Sequence, residues 1–390
     1  MHLAIDASNI RQGGGITHLS QLLSASAPGE AGFTQVTVWA CRATLDQLPS
    51  QPWLDKVASA WTEAGLLYRT LGRQFFLGRE MARRGCSVLF SPGGTVPLGL
   101  RVPVVTMSQN MLPFEPDEAV RFGRWSWMRL KMRLLRHAQG RAFRRADGVI
   151  FLTRYAQDRV LKAIGCRQRR SAIIPHGVEP RFSVGSRLHR DASEFSSQRP
   201  MTLLYVSILM PYKHQIEVAT AMGDLRRKGY AIRGRFLGGD WGAYGAQFRD
   251  CLARLDPSGE YLEWPGGVPH EGLHREYEAA DVFVFASSCE NLPNILVEAM
   301  AAGLPIACSQ RGPMPEVLGE AGIYFDPESP DSIAQSLRAL IDDAALRRGL
   351  AASARKASHA YSWERCARET LGFIGSVASS RFEAKLQENN

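Results

Sequence analysis

Along the chain, short β-branched and aromatic runs alternate with longer stretches whose apolar positions return every three to four residues. The strand-like runs cover 2–5, 36–39, 87–90, 102–107, 148–152 and 171–174. After a gap they resume at 202–206, 233–237, 261–264, 282–286, 305–308 and 323–325. Several are apolar at successive positions, as in Val282-Phe283-Val284-Phe285. Strands buried on both faces of a parallel sheet need that pattern. Helical periods lie between them, for example over 16–25, 156–163, 214–228 and 294–302. Repeated β-then-α order predicts an α/β doubly wound fold, twice over.

The gap itself, 181–200, is polar, serine-rich and closed by Pro200. It reads as a linker between domains at 1–180 and 201–360. Sheets of this kind bind ligands at the carboxyl ends of their strands, so two of them facing each other predict a cleft site. The polar tail, 381–390, reads as frayed.

Composition narrows the class. The 390 residues are 45% hydrophobic and 22% charged, ordinary values for globular domains and too long a chain for one core. No apolar run reaches the ~18 residues that a spanning helix needs. The N-terminus reads as a strand rather than a secretory leader. Seven cysteines with wide spacing and no CxxC predict buried free thiols in a reducing cytoplasm.

The formal charge of +9 is local. Residues 121–146 hold nine basic residues and no acid: Arg121, Arg124, Arg129, Lys131, Arg133, Arg136, Arg141, Arg144 and Arg145. Setting these aside leaves 38 basic against 38 acidic residues. As a helix, Arg129, Arg133 and Arg136 form one stripe, while Trp125, Met128, Met132 and Leu135 lie on another side. Residues 129–134 also alternate as a strand would. Three readings stand: a helix on an anionic membrane surface, a helix packed on its domain with a solvated arginine face, and a nucleic-acid contact.

The densest chemistry lies over 282–309. A buried strand runs into a turn, and a helix opens at or near Pro293 and stops at Gly303. Glu290 sits just before the helix and Glu298 about one and a half turns in. Helix-start amides attract phosphate, and a carboxylate beside them can only accept hydrogen bonds, as the hydroxyls of a sugar would supply. Glu290 and Glu298 thus suit a ligand with phosphate in the middle and polyhydroxyl ends, a nucleotide sugar. As plain surface residues they would mean nothing.

This segment resembles the E-x7-E motif of the retaining glycosyltransferases of GT-B fold, often called group 1. The likeness runs through Glu290-Asn291-Leu292-Pro293-Asn294, Glu298-Ala299-Met300-Ala301 and Gly303-Leu304-Pro305. It extends to Gly312-Pro313-Met314-Pro315-Glu316-Val317, to Pro265-Gly266-Gly267-Val268 and to Tyr277-Glu278-Ala279-Ala280-Asp281. Tyr361-Ser362-Trp363-Glu364 is similar to the start of that family's terminal helix, which crosses back to the N-terminal domain and here would span 361–380. The resemblance is dense over 200–390 and thinner over 1–180.

The family implies roles. Glu290 would contact hydroxyls of the donor sugar and Glu298 the nucleotide's ribose, with backbone near Asn291, Leu292 and Pro293 holding sugar and pyrophosphate. Asn291 and Pro293 replace common glycines, and Pro293 has no amide to give. The run 205–213 resembles "vGRLxxxKG", with Ser207 in the glycine position, Ile208 in that of the arginine and Lys213 in that of the lysine. Lys213 would then carry the leaving diphosphate's charge without the arginine, with His214 a candidate helper.

The loop around Gly13-Gly14-Gly15 is similar to the family's "GGia" loop, where Gly14 and Gly15 would let backbone approach phosphate. At 109–113, Gln109 and Asn110 replace the His and Asp of "xHDxxP". No histidine relay is available there, but both amides can bind sugar or acceptor. His176, in an asparagine position, reads as structural.

No D-x-D occurs, Asp342-Asp343 falls in a surface helical stretch, and no metal or other cofactor is expected. The resemblance implies a metal-independent, retaining transfer with front-face attack. A hexose would move from a GDP- or UDP-sugar to a saccharide or lipid-linked acceptor, in surface polysaccharide or lipopolysaccharide synthesis. The enzyme would be cytoplasmic or peripheral on the membrane through 121–146, with no nucleic-acid partner. Two rival readings are a GT-B-fold nucleotide-sugar epimerase and a non-catalytic basic module that binds membrane or nucleic acid.

Overall fold

The computed structural model describes residues 1–388 except 12, 124, 167–169, 184, 186–188 and 241, and side chains as far as Arg381. Gln12 of the glycine-rich loop, Arg124 of the basic segment, part of 181–200 and the side chains of the tail lie outside the described residues.

The chain forms two compact units. The first comprises Met1–Phe114, Leu130–Gly177 and Ser362–Asn390; the second comprises Glu115–Arg129 and Val178–Tyr361. The sequence reading placed 115–129 within 1–180 and made 181–200 a linker between domains. In the structure both stretches are counted with the C-terminal unit. Arg190 of the linker pairs with Asp281 at 3.1 Å, and Arg347 donates to the Arg190 carbonyl.

The first unit holds one parallel sheet of seven strands: β1 (His2–Asp6), β2 (Gln35–Trp39), β3 (Leu54–Val57), β4 (Val88–Ser91), β5 (Val104–Met107), β6 (Gly148–Phe151) and β7 (Ser171–Ile173). Their order is β3-β2-β1-β4-β5-β6-β7. The sequence pattern anticipates every strand but β3. That strand lies at the sheet edge, and its Asp55 and Lys56 interrupt any apolar run. Its helices include Gly14–Ser24, Arg154–Ile164 and the long Trp363–Glu388.

The second unit holds β8 (Met201–Val206), β9 (Ile232–Leu237), β10 (Leu262–Gly266), β11 (Val282–Phe285), β12 (Ile306–Ser309) and β13 (Ile323–Phe325). All pair in parallel, in the order β10-β9-β8-β11-β12-β13. Its core is continuous across the helix Gln215–Arg227, β8, β11 and the helix Pro330–Asp342, with Leu203, Val218, Met222, Val284 and Leu337 fully buried. Six of the seven cysteines are buried and all are free.

Both sheets reverse strand order beside their first strand, between β1 and β4 and between β8 and β11. Crossovers leave in opposite directions at such a point, so the loops after the two strands part and open a crevice. The loops after β8 and β11 carry Ser207–Lys213 and Ser287–Pro293.

Gly177 is required by packing. A Cβ there would come 2.2 Å from the Trp363 nitrogen at the start of the terminal helix. We expect Gly177→Ala to cost about 1–3 kcal/mol through overpacking, read as a lower midpoint in chemical denaturation. An unchanged midpoint would show that this helix start is not tightly held.

Candidate active site

In the second unit the loop after β8 meets the loop after β11. Lys213, almost fully buried, pairs its ammonium with Glu290. Lys213 ends a short 3-10 turn, Pro211–Lys213, and the Tyr205 hydroxyl donates to its carbonyl at 2.5 Å. The chain then turns sharply. His214 has φ 54° and ψ 35°, and among the described residues it is the only non-glycine with positive φ. Glycine would take this left-handed conformation freely, and glycine is what the resembled motif has there.

A hydrogen bond holds the turn. His214 Nε2 lies 3.1 Å from Ser288 Oγ, and Ser288 donates to Glu118 at 2.8 Å. The Ser288 amide donates to the Tyr212 carbonyl at 2.9 Å, tying the two loops together. Glu118 also takes Arg121 Nε at 2.7 Å, and Arg121 pairs with Glu328, whose carboxyl it holds below the usual range. None of Ser288, Glu118 or Arg121 was singled out as a site residue from sequence; apart from the local Glu118–Arg121 pair, their partners lie 70 or more positions away.

Glu290 and Lys213 thus come together with the buried Ser207, Asn291, Leu292 and Pro293 around the same two loops. Ser207 donates its amide to the Leu237 carbonyl at 2.8 Å, and its hydroxyl has no hydrogen-bond partner among the described residues. Gly238 makes that packing possible, since a Cβ there would overlap the Ser207 carbonyl. Ile208 is exposed and brings no charge. The helix runs over Asn294–Ala301, starting where the sequence placed it, with Pro293 as its N-cap.

Glu298 is buried and held by other chemistry. Tyr277 donates to Oε2 at 3.0 Å, and His270 Nε2 faces Oε1 at 3.5 Å. Arg181 donates to His270 Nδ1 at 2.6 Å and to Glu179 at 2.8 Å. The Glu298 hydrogen bond raises the His270 pKa above its ordinary value, against burial and Arg181. Burial first and Glu298 second push the Tyr277 hydroxyl well above its usual range, so it stays a donor. Two carboxylates are therefore fixed with lone pairs to spare, as recognition of hydroxyl groups requires.

The first unit groups the remaining candidates. Gly14 opens its helix after Gly13 (φ 70°), with open space beside it. A Cβ on Gly15 would lie 3.2 Å from Ile10 and 4.0 Å from the Gln109 side-chain Oε1. Gln109 Nε2 reaches His18 Nδ1 at 3.3 Å, and Asn110 caps the following turn by accepting from Leu112 N. His176 stacks on His18 at 4.3 Å and on Trp363 at 5.6 Å. Burial, then His176, lowers the His18 pKa well below its ordinary value, so the His18 ring packs as a neutral group.

The basic segment is a helix over Trp127–Arg145. The wheel's grouping of Met128, Met132 and Leu135 on one side holds, while its arginine stripe is unevenly exposed. Met132 is buried, Met128 and Leu135 are half-buried, and Arg136 donates to the Ala163 carbonyl at 3.3 Å. The exposed face instead mixes Leu130 and Leu134 with Lys131, Arg133 and Arg141. Among the described residues, no cluster of His, Cys, Asp or Glu could hold a metal ion, and no helix is long and apolar enough to cross a membrane.

Comparisons with known proteins bear on this geometry. The family model "Glycosyl transferases group 1" matches residues 188–357, and "Glycosyltransferase Family 4" matches 13–182. The O-antigen chain mannosyltransferase B of Escherichia coli is 38% identical over 116 residues, 28% of this chain and 29% of that protein. A D-inositol 3-phosphate glycosyltransferase of Geodermatophilus obscurus is 26% identical over 229 residues, 56% of this chain and 50% of that protein. The matched stretch therefore spans half or less of these relatives. Among solved structures, sucrose-phosphate synthase of Thermosynechococcus elongatus superposes with a TM-score of 0.74 at 18% identity, covering 98% of this chain and 99% of that one. WaaG, a glycosyltransferase involved in lipopolysaccharide biosynthesis, gives 0.69 at 15% identity over 96% and 99%.

Two outcomes test the supports of the site. His214→Ala keeps the left-handed strain and loses the Ser288 bond, whereas His214→Gly loses the bond but relieves the strain. We expect the alanine variant to be the less stable by about 1 kcal/mol in denaturant midpoints; equal midpoints would remove the strain argument. For His270, whose folded pKa is raised, the pair's stabilisation is fully present below the ordinary value of about 6.5 and is lost as pH rises through the folded value. Glu298→Gln should lower the His270 pKa in an NMR titration and flatten that part of the pH–stability curve. A His270 titration that ignores the substitution would dissolve the pair.

Proposed function

Since the chain belongs to the group 1 glycosyltransferases of GT-B fold, we propose that it is a retaining, metal-independent hexosyltransferase using a GDP- or UDP-sugar. The observation that carries the reading is the buried Lys213–Glu290 pair at the strand-order reversal of the second sheet, with Glu298 eight positions on. Lys213 takes the leaving diphosphate and Glu290 the hydroxyls of the transferred hexose. Glu298, oriented by Tyr277 and His270, takes the ribose hydroxyls. Ser207 and the backbone at Asn291 and Leu292 complete donor binding, while Pro293 caps the helix and gives no amide. Gly14 and Gly15 keep the role of close backbone approach to phosphate, and Gln109 and Asn110 that of hydrogen bonding to the acceptor.

The step we infer is front-face substitution. The anomeric carbon's bond to the diphosphate oxygen breaks as its bond to the acceptor oxygen forms on the same face. The acceptor's proton passes to the departing phosphate oxygen. Charge grows on that phosphate, and a fixed ammonium in a dry site stabilises it without reorganising.

The acceptor class rests on the relatives. One is named for O-antigen chain mannosylation, and WaaG is described as acting in lipopolysaccharide biosynthesis. We read the acceptor as a saccharide or lipid-linked saccharide of a surface polysaccharide, met on the cytoplasmic face of a membrane whose anionic surface draws in the basic helix.

A panel of nucleotide sugars in thermal shift should single out one donor that raises the melting temperature, because ligand bound only to the folded state stabilises it. Glu290→Ala and Lys213→Ala should each cut transfer from that donor by roughly 10- to 150-fold, the loss of one charge-assisted contact. Wild-type turnover in either purified variant, or no stabilising nucleotide sugar, would defeat the assignment.

A further inference from the structure

The first unit carries an apolar face that the catalytic reading does not use. An unbroken helical stretch, 66–83, opens as a regular helix (Leu66–Gly72), widens into a π-turn (Arg73–Leu77) and closes at Gly78–Arg83. It docks by a narrow side. Gly72 and Leu77 are buried, and Gly72 lies so close to Trp61 that a Cβ would overlap its ring. The outer side is Leu66, Leu67, Tyr68, Leu71, Phe75 and Phe76, all exposed, with Leu67 76% and Phe75 62% accessible. Single exposed apolar residues need no explanation, but six on one helix mark a contact surface.

The neighbouring loop extends the face. Arg73 donates to Thr95 at 2.5 Å, and Gln74 and Leu98 exchange backbone–side-chain hydrogen bonds of 2.9 and 3.0 Å. Leu98 is itself exposed. A groove of about 360 Å³ lies between helix and loop, with Phe75 and Leu98 on its apolar wall and Arg79 and Arg101 beside them. On the loop's other side, a Cβ at Gly94 would sit 3.1 Å from Gln139 of the basic helix. The loop therefore joins the apolar helix to the stretch carrying exposed Leu134, Lys131, Arg133 and Arg141.

Charge selects the occupant. Between residues 64 and 114 the sole acid is Glu80. Both its oxygens point inward, taking Trp39 and Ser59 on one and Trp61 on the other. Residues 121–146 contain no acid. A surplus of basic over acidic residues around an apolar face repels a second copy of the same face and attracts an anionic one. Bulky apolar side chains rimmed by arginines suit the boundary between lipid headgroups and acyl chains.

We propose that the Leu66–Phe76 face is a bilayer anchor: its apolar side chains enter an anionic lipid surface, with Arg79, Arg101 and the basic helix meeting the headgroups. The anchor deepens the membrane contact of the proposed function, but it rests on residues outside the donor site.

The test uses the full-length protein and sedimentation with phosphatidylcholine vesicles, with and without phosphatidylglycerol. Wild type should bind the anionic vesicles and keep part of that binding in high salt, since screening removes the charge contribution and leaves the apolar one. Leu67→Ser/Phe75→Ser should lose the salt-resistant part, about tenfold or more in partitioning. Arg133→Gln/Arg141→Gln should lose the salt-sensitive part instead. A Phe75→Trp reporter should be quenched by brominated acyl chains. All substituted positions are exposed, and circular dichroism melts identify any variant that fails to fold. The anchor is overturned if Leu67→Ser/Phe75→Ser binds vesicles like wild type, if the reporter is not quenched, or if the protein is a dimer that this pair dissociates. Thermal shift with the donor is read on the same variants. An unchanged donor response beside lost binding supports the anchor, whereas failure of the donor response in wild type counts against the proposed function alone.

Discussion

The second unit is organised by one requirement: an ammonium and a carboxylate that are both mostly withdrawn from water must meet each other. Either charge left alone there would cost several kcal/mol. Lys213 and Glu290 come from loops 77 positions apart, so the pair can form only when β8 and β11 are correct neighbours. The Tyr205 hydroxyl, the Tyr212–Ser288 backbone bond and the left-handed His214 each fix one side of that meeting. Strain at His214 is tolerable because the surrounding bonds over-determine it, a pattern typical of functional turns.

Glu298 shows the same end reached by a different route. A phenol that stays protonated and a half-exposed imidazole, whose pKa the carboxylate raises, orient it. Glu298 thus shares its charge with an imidazole whose protonation depends on pH. Glu290 shares its charge with a lysine. The two glutamates are therefore not equivalent: Glu290 acts together with a cation, while Glu298 acts as an acceptor of hydrogen bonds.

Much of this was legible in the sequence because it was periodic or locally spaced. Twelve of the thirteen strands announce themselves by short β-branched and aromatic runs, several of them continuously apolar, and Glu290 and Glu298 stand eight residues apart across a turn and the helix after it. What escaped depended on distant partners or on which face packs. Nothing in a histidine codon position reveals a positive φ, and nothing near Ser288 points to Glu118. The wheel of 127–145 sorts residues into sides correctly but cannot say that Met132 faces inward while Leu134 faces out. The edge strand β3 escaped because half-exposed edges need no apolar alternation.

The distribution of cations then takes on a meaning that the net charge hides. Around the Lys213–Glu290 pair, Arg121 is committed to Glu118 and Glu328, Arg311 is matched by Asp326, and Ile208 offers no charge. Positive charge at this site is thus sparse and already balanced, apart from Lys213 itself, whose partner can turn to sugar hydroxyls. A diphosphate would be recognised here by geometry and a single well-placed ammonium rather than by a strong general field. The surplus of basic over acidic residues lies elsewhere, on helices and a loop that carry exposed leucines and phenylalanines and almost no acids. Selectivity for a donor and attraction to a surface make opposite demands on an electrostatic field, one short-ranged and exact in placement, the other broad. On the functions proposed above, they lie in different parts of the chain, so each is met without weakening the other.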